Sequence, residues 1–261
     1  MTPREALVIF VAAFVAGAIN SIAGGGTLLT FPALVWIGRD PIIANATNAV
    51  ALWPGSLAGA MGFRRELARA GRWALWLTLP SCLGGALGAV LLLRTPSRTF
   101  ATMVPWLILF ATALFAAQRP IQALVGRAHP RQEDVRAPTS AWWMGAAIFQ
   151  FVVAVYGGYF GAGMGIVMLA ALGLLGLSDI FMANGLKNLF AVCINGIAAV
   201  YFVAGGAVRW GDALVMAAGA IAGGYGGAGF ARRLGRSVVH RAVIAIGIAA
   251  AASMVVLLRR G

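Results

Sequence analysis

Asn20-Ser-Ile-Ala-Gly-Gly-Gly-Thr-Leu-Leu-Thr-Phe-Pro-Ala-Leu34 joins two apolar segments through three consecutive glycines. Glycine is about 1 kcal/mol worse than alanine inside a helix. The run therefore predicts a break at Gly24, Gly25 and Gly26, with a short helix restarting at Thr27. Irregular backbone at bilayer depth is tolerated only where it is buried in protein or lines a cavity. A helix restarting at such a place points unpaired N–H groups into the cavity, an arrangement that attracts anions. Close packing is the competing explanation, because small residues let membrane helices approach one another. Gly84-Gly85, Gly88, Gly223-Gly224 and Gly226-Gly227 are read as packing alone.

The same pattern returns in the second half of the chain. Gly161-Ala-Gly-Met-Gly-Ile-Val-Met-Leu-Ala-Ala-Leu172 aligns with Ala23 to Leu34, so Gly161, Gly163 and Gly165 mark a second break. Further on, Ala44-Asn-Ala-Thr-Asn48 answers Ala183-Asn-Gly-Leu-Lys187, Phe63 answers Phe202, and Arg72-Trp73 answers Arg209-Trp210. Order and spacing hold within one or two residues over about fifty positions. Alanine- and glycine-rich segments resemble each other by chance, but four landmarks in one order point to an internal duplication of the transporter type.

Composition places both halves in a membrane. The 261 residues are 61% hydrophobic and only 10% charged, whereas a soluble domain carries roughly 25% charged residues. The apolar residues come in blocks near the ~20 needed to cross a ~30 Å hydrocarbon core. The net charge of +13 does not indicate nucleic acid. Most arginines stand in clusters between apolar runs: Arg64, Arg65, Arg69 and Arg72; Arg119, Arg127, Arg131 and Arg136; Arg232, Arg233, Arg236 and Arg241. Such clusters orient a membrane protein by the positive-inside rule. Cys82 and Cys193 lie inside apolar runs, where a thiol behaves as a small hydrophobe. His129 and His240 fall in loops far from either cysteine, so no metal or other cofactor is expected. Residues 1–18 read as a first helix rather than a cleaved signal peptide.

Helical segments are expected at 5–22, 27–37, 41–62, 73–93 and 99–118, then at 141–157, 164–177, 183–204, 212–231 and 239–258. The fold class is thus an all-α polytopic membrane protein of two homologous repeats, each with four to five helical segments and a glycine-broken helix. Residues 1–118 form the first transmembrane repeat and 141–261 the second. The polar stretch 119–140, with four arginines, is a cytoplasmic linker. If 27–37 and 164–177 each cross the bilayer, the repeats are inverted; if each broken pair makes one crossing, they are parallel. Basic residues divide about twelve to seven between the two sides either way. Charge does not decide the matter, and the inverted arrangement is the one adopted.

Besides Gly24, Gly25, Gly26, Thr27, Gly161 and Gly163, the candidate substrate-binding residues are polar groups at span ends. They are Asn45, Thr47 and Asn48 in the first half and Asn184, Lys187 and Asn188 in the second. Their plain alternative role is helix capping. Lys187 is the single lysine of the chain and lies a turn inside an apolar span. An ionisable residue there is a functional-site hypothesis by default, with snorkelling to the interface as the alternative. Asn20 and Ser21 complete the candidate set, and Ser56 and Asn195 are weaker additions. No run of acids or histidines occupies the middle of a span, which argues against a proton relay. Gly24-Gly-Gly26 lacks the Gly-Lys-Ser/Thr ending of a nucleotide-binding loop.

At these residues the chain resembles the TauE/SafE family of sulfite-exporter-like permeases. The match is carried by Asn20 to Leu34, Ala44-Asn-Ala-Thr-Asn-Ala49 and Gly157-Gly-Tyr-Phe-Gly-Ala-Gly-Met-Gly165. The resemblance implies export of sulfite, sulfoacetate or another organosulfonate. Met164 stands where the family favours glycine, Ala170 replaces the proline that Pro32 supplies in the first half, and Lys187 stands where the first repeat has Asn48. The two halves are therefore expected to play unequal parts.

The reading that follows is a multi-pass inner-membrane transporter that exports a small anion through a central site between the repeats. Its partners are the anion and the lipid bilayer, and a homodimer stays open. The alternative of another class is a non-transporting membrane scaffold or assembly factor. An enzyme is not expected, since two loop histidines and edge aspartates make no catalytic set.

Overall fold

Apolar runs punctuated by aspartate caps and glycines give helices alone among the described residues. The computed structural model describes residues 1–20, 25–118, 120, 139–175, 177, 179–224 and 236–260. In chain order the helices are α1 (Pro3–Asn20), α2 (Thr27–Trp36), α3 (Pro41–Gly62), α4 (Arg64–Ala70), α5 (Arg72–Arg94) and α6 (Ser97–Ala116). They continue with α7 (Ser140–Tyr159), α8 (Met164–Leu174), α9 (Ile180–Ala204), α10 (Trp210–Ala222) and α11 (Arg236–Arg260). Helices α1, α5, α6, α7 and most of α9 are long and apolar enough to cross a membrane. At 10 and 11 residues, α2 and α8 are not.

Local chemistry sets the ends of these helices. Asp40 caps α3 by accepting from the N–H groups of Ile42 (2.9 Å) and Ile43 (3.3 Å), with Pro41 preset for the first turn. Asp179 caps α9 in the same way, from Phe181 (2.8 Å) and Met182 (3.2 Å). The cap starts α9 at Ile180, three positions earlier than the apolar pattern indicates. The basic stretch 64–70, expected as loop, is the short helix α4. The linker expected at 119–140 falls outside the described residues except for Pro120, Thr139 and Ser140.

Side-chain registers fix the direction of each helix. Arg39, just beyond α2, reaches back to Glu5 at the start of α1 (3.1 Å). The pair α1–α2 is therefore a hairpin that returns to the face from which it started. Helix α3 runs antiparallel to α9: Phe63 packs at Gly185, Gly59 at Asn188, and the Trp53 indole N–H donates to the Val192 carbonyl at 3.0 Å. Helix α5 runs parallel to α7, with Trp73 against Trp142 and Trp143, Ser81 bonded to Gln150, and Gly88 against Gly158. Helix α1 runs parallel to α10, with Ala13 at Gly219 and Gly17 at Ala220. Helix α11 runs antiparallel to α6, with His240 at Phe115 and Gly247 at Thr112. Chain direction then requires α7 to start from the face opposite the start of α1. The two halves cross in opposite senses.

Each half lends a helix to the other. α5 packs on α7 and α10 on α1, along glycine seams that leave no room for a Cβ. Gly84, Gly85 and Gly88 seat α5 on α7 and α9, while Gly17, Gly219 and Gly223 seat α1 on α10. This is the small-residue packing on which membrane helices rely. A smaller core of Leu77, Val153, Met168, Leu172, Leu186, Phe190 and Ile194 joins α5, α7, α8 and α9. A larger one, with Phe31, Phe100, Phe115, Phe160 and Phe202, runs through the rest.

Candidate functional site

The first break is built from the end of α1. Asn20 Oδ1 accepts the Gly26 N–H at 2.8 Å, closing the gap between α1 and α2 from the side. Gly25 has φ +91°, in the left-handed region, and a Cβ there would stand 2.8 Å from the Phe115 ring. Only glycine suits both conditions. Thr27 then opens α2 with no side-chain cap. Ser21 and Gly24, the other candidates at this break, lie outside the described residues.

The second break is tighter. Gly161 (φ +78°) and Gly163 (φ +79°) both turn left-handed, and Gly163 is the N-cap of α8. The Tyr156 hydroxyl donates to the Ala162 carbonyl and pins the loop. Met164 N–H bonds to Gly161 O (3.3 Å) and Ile166 N–H to Gly163 O (3.0 Å). Among the described residues the Gly165 N–H between them has no acceptor. Both breaks lean on α6: Gly25 meets Phe115, and Gly163 meets Ala111 and Leu114. Phe115 and Ala111 are four apart, hence on one helix face. The two interruptions thus have α6 as a common neighbour.

The polar clusters do not converge. Asn45 Nδ2 donates to the Tyr159 carbonyl (2.9 Å), Thr47 Oγ1 accepts the Arg209 N–H (3.0 Å), and Asn48 Oδ1 accepts from Thr30 Oγ1. All three residues are at most 3% exposed. They tie α3 to α7, to the start of α10 and to α2. They do not cap α3, since Asp40 does.

Lys187, Asn184 and Asn188 lie toward the other end of the α3–α9 pair. Asn188 packs at Gly59, and Asn48 is eleven residues back along α3, about 17 Å at 1.5 Å per residue. The alignment that equates Asn48 with Lys187 sends them to opposite ends because the halves cross in opposite senses. Each meets its own break: Asn48 through Thr30 of α2, Lys187 through Gly165 of α8, whose Cβ would stand 3.3 Å from the lysine Cδ.

Lys187 is half-buried, and its Nζ donates to Asn184 Oδ1 at 3.2 Å. Among the described residues no carboxylate lies within ion-pair distance of it. An ammonium inside a span with one neutral acceptor is poorly compensated.

Other polar contacts were not foreseen. Arg39 Nε donates to Asp212 Oδ2 (2.7 Å) and its Nη2 to Asp212 Oδ1 (3.3 Å) and Glu5 Oε2 (3.1 Å). The bond to Asp212 raises the Arg39 pKa above its ordinary value, so the guanidinium stays charged. Arg209 adds a second cation to Asp212 at 3.3 Å. Asp212 and Arg209 were visible at a span edge, but nothing in the sequence linked them to Arg39. Gln150 donating to Ser81 (2.8 Å) was equally unforeseen; a lone amide in an apolar run was its only signal. Two apolar clefts of about 520 and 530 Å³ open on outer faces, one along α5 and one between α1, α2 and α11, and neither is lined by candidate residues.

Residues 9–254 match the family model described as sulfite exporter TauE/SafE. The chain is 31% identical over 249 residues to a probable membrane transporter protein of Haemophilus influenzae, covering 95% of this chain and 93% of that one. It is 28% identical over 243 residues to the probable membrane transporter protein ORF9 of a Sinorhizobium species, covering 93% and 89%. It is 26% identical over 240 residues to the probable membrane transporter protein YfcA of Escherichia coli, covering 92% and 85%. No solved structure matches. With apolar helices of spanning length and a family match along nearly all its residues, the chain is a multi-pass membrane transporter and belongs to the TauE/SafE family.

Proposed function

We propose that this transporter exports sulfite or an organosulfonate across an inner membrane, and that the anion is held at the second helix break by Lys187. The carrying observation is the Lys187 ammonium, set against Gly165 of α8 with Asn184 as its neutral partner and no carboxylate beside it among the described residues. A sulfur oxyanion supplies the missing charge and accepts from the ammonium and the Gly165 N–H together. The first break, with Gly25 against the same face of α6 and Gly26 held by Asn20 just before Thr27, gives the solute its onward path in this reading. Asn45, Thr47 and Asn48 position helices in this reading.

The halves are an inverted duplication, a reading supported by the symmetric exchange of α5 and α10 between them. The face bearing Arg64, Arg65, Arg69, Arg72 and the start of α7 is the cytoplasmic one. Export then needs no coupled ion, because an anion leaving a negative interior gains about 2.3 kcal/mol per charge per 100 mV. Efflux of sulfite from proteoliposomes under an imposed potential is the test. The wild type should release it faster as the interior is made more negative, and Lys187→Ala should abolish the difference. Equal efflux from both proteins would remove the site.

A further inference from the structure

The cleft of about 530 Å³ between α1, α2 and α11 has three walls, whereas the one along α5 is lined by that helix alone among the described residues. Leu7, Val8 and Val11 face it from α1, Leu29 and Trp36 from α2, and Ala249 from α11. Its volume is in the range of pockets that enclose one small ligand, roughly 300–1,000 Å³. At one end Trp36 donates its indole N–H to Ser253 Oγ at 2.9 Å and ties α2 to α11. Tryptophan favours headgroup level in a bilayer, and the Arg39–Glu5 pair three residues beyond Trp36 marks the same face. From Trp36 the groove runs seven residues back along α2 to Leu29. That is about 10 Å, against a hydrocarbon depth of about 15 Å in one leaflet.

Arg4 supplies a charge at the mouth. It precedes Leu7, Val8 and Val11 by three, four and seven positions, so it stands on the same face of α1, one turn nearer the membrane surface. It is exposed, and among the described residues no carboxylate lies within ion-pair distance of it. The neighbouring Glu5 is engaged by Arg39 and by the Thr2 N–H at 3.0 Å. A guanidinium set above an apolar groove complements a molecule with an anionic head and a hydrocarbon tail. We infer that this groove binds one anionic phospholipid from the leaflet at which α1 starts. Its phosphodiester sits on Arg4, and one acyl chain lies along α1, α2 and α11.

The test is native mass spectrometry and thermal shift on the full-length protein in a nonionic detergent, with dioleoyl phosphatidylglycerol as probe. Dioleoyl phosphatidylcholine, with the same tails and no net charge, and inorganic phosphate are the comparison arms. Phosphatidylglycerol should stay bound at one per chain and raise the melting temperature. Phosphatidylcholine should do so weakly, and phosphate should have no effect. Arg4→Ala should cut phosphatidylglycerol affinity about fivefold, the worth of one basic residue at an anionic surface, and Arg4→Lys should restore most of it. Ala249→Phe fills the groove and should lower retention of both lipids. Both positions are exposed, so melting without lipid should stay that of the wild type. Equal affinity for the two lipids, or full affinity in Arg4→Ala, would overturn the headgroup contact. Retention unaltered by Ala249→Phe would overturn the groove. Stabilisation by phosphate alone would make Arg4 a free-anion site, and a dimer that Ala249→Phe dissolves would give the groove to a second copy of the chain. Either result would overturn the lipid. None of these readouts depends on Lys187.

Discussion

Lys187 Nζ and Asn184 Oδ1 stand 3.2 Å apart, one turn from each other on α9, and the amide is a neutral partner for the cation. A hydrogen bond to a charged group contributes about 1.5–3 kcal/mol, and tenfold in affinity corresponds to about 1.4 kcal/mol. Lys187→Ala should therefore weaken anion binding by roughly 10- to 100-fold. Lys187→Arg keeps the charge and should retain much of the binding, while Asn184→Ala, which keeps the ammonium but removes its amide acceptor, should sit between. Thermal shift of the purified variants against a sulfite and sulfonate series reads all three. A ranking that ignores charge, with alanine and arginine alike, would count against the ammonium as ligand.

Gly25 makes a two-part prediction. Its positive φ costs any other residue about 1–2 kcal/mol, and a Cβ would also press on the Phe115 ring at 2.8 Å. Gly25→Val should lower both melting temperature and flux. Adding Phe115→Ala should recover the part due to the clash and leave the part due to the backbone. The melting temperatures of the two single variants and the double variant separate the terms. Full recovery would show that conformation contributes nothing at this break.

Much of this arrangement was legible beforehand. Span positions followed from apolar run length, and both breaks followed from glycine, because each signal is local. Which glycine face meets which helix is not local. Gly84 and Gly88 read as packing, but nothing in α5 says that its partner is α7 of the other half. The polar pairs failed for the same reason: Asn48 and Lys187 align in sequence, and only the opposed direction of the halves separates them. Arg39 and Asp212 are 173 positions apart, and their pairing depends on α1 meeting α10.

That pairing should be costly to break. Arg39 and Asp212 side chains are 10% and 2% exposed, and removing one partner of a buried pair costs about 3–5 kcal/mol. Arg39→Ala should destabilise the protein by about 3 kcal/mol or more. Asp212→Asn should cost less, since the amide oxygen still accepts from the guanidinium. Replacing both should cost less than the sum, because neither charge is then left alone. Denaturation of the four proteins in one detergent completes the cycle, and additive losses would mean the contact is not energetically coupled.

The glycine seam gives an internal control. At Gly88 a Cβ would stand 2.7 Å from the Tyr159 backbone nitrogen, whereas at Gly145 it would meet nothing within 4 Å. Gly88→Leu should destabilise by about 1–3 kcal/mol or prevent folding, as overpacking does. Gly145→Ala should be neutral or raise stability by up to about 1 kcal/mol through helix propensity. Melting temperatures in one detergent decide it. Equal effects would deny that α5 and α7 are in close contact.

Helix direction can be tested without any transport assay. With Cys82 and Cys193 replaced by serine, single cysteines at Thr95, Gly206, Gly71 and Thr139 can be labelled by an impermeant reagent in oriented vesicles. Gly71 precedes α5, Thr95 follows it, Thr139 precedes α7 and Gly206 lies between α9 and α10. Parallel halves with one crossing per broken pair would put Gly206 on the same side as Thr139 and Gly71. The Arg39–Glu5 contact and the antiparallel run of α3 and α9 put Gly206 with Thr95 instead, opposite Thr139. Labelling of Gly206 together with Thr139 would mean that the α1–α2 and α7–α8 hairpins do not return to the faces they leave, and the Lys187 site would lose its geometry with them.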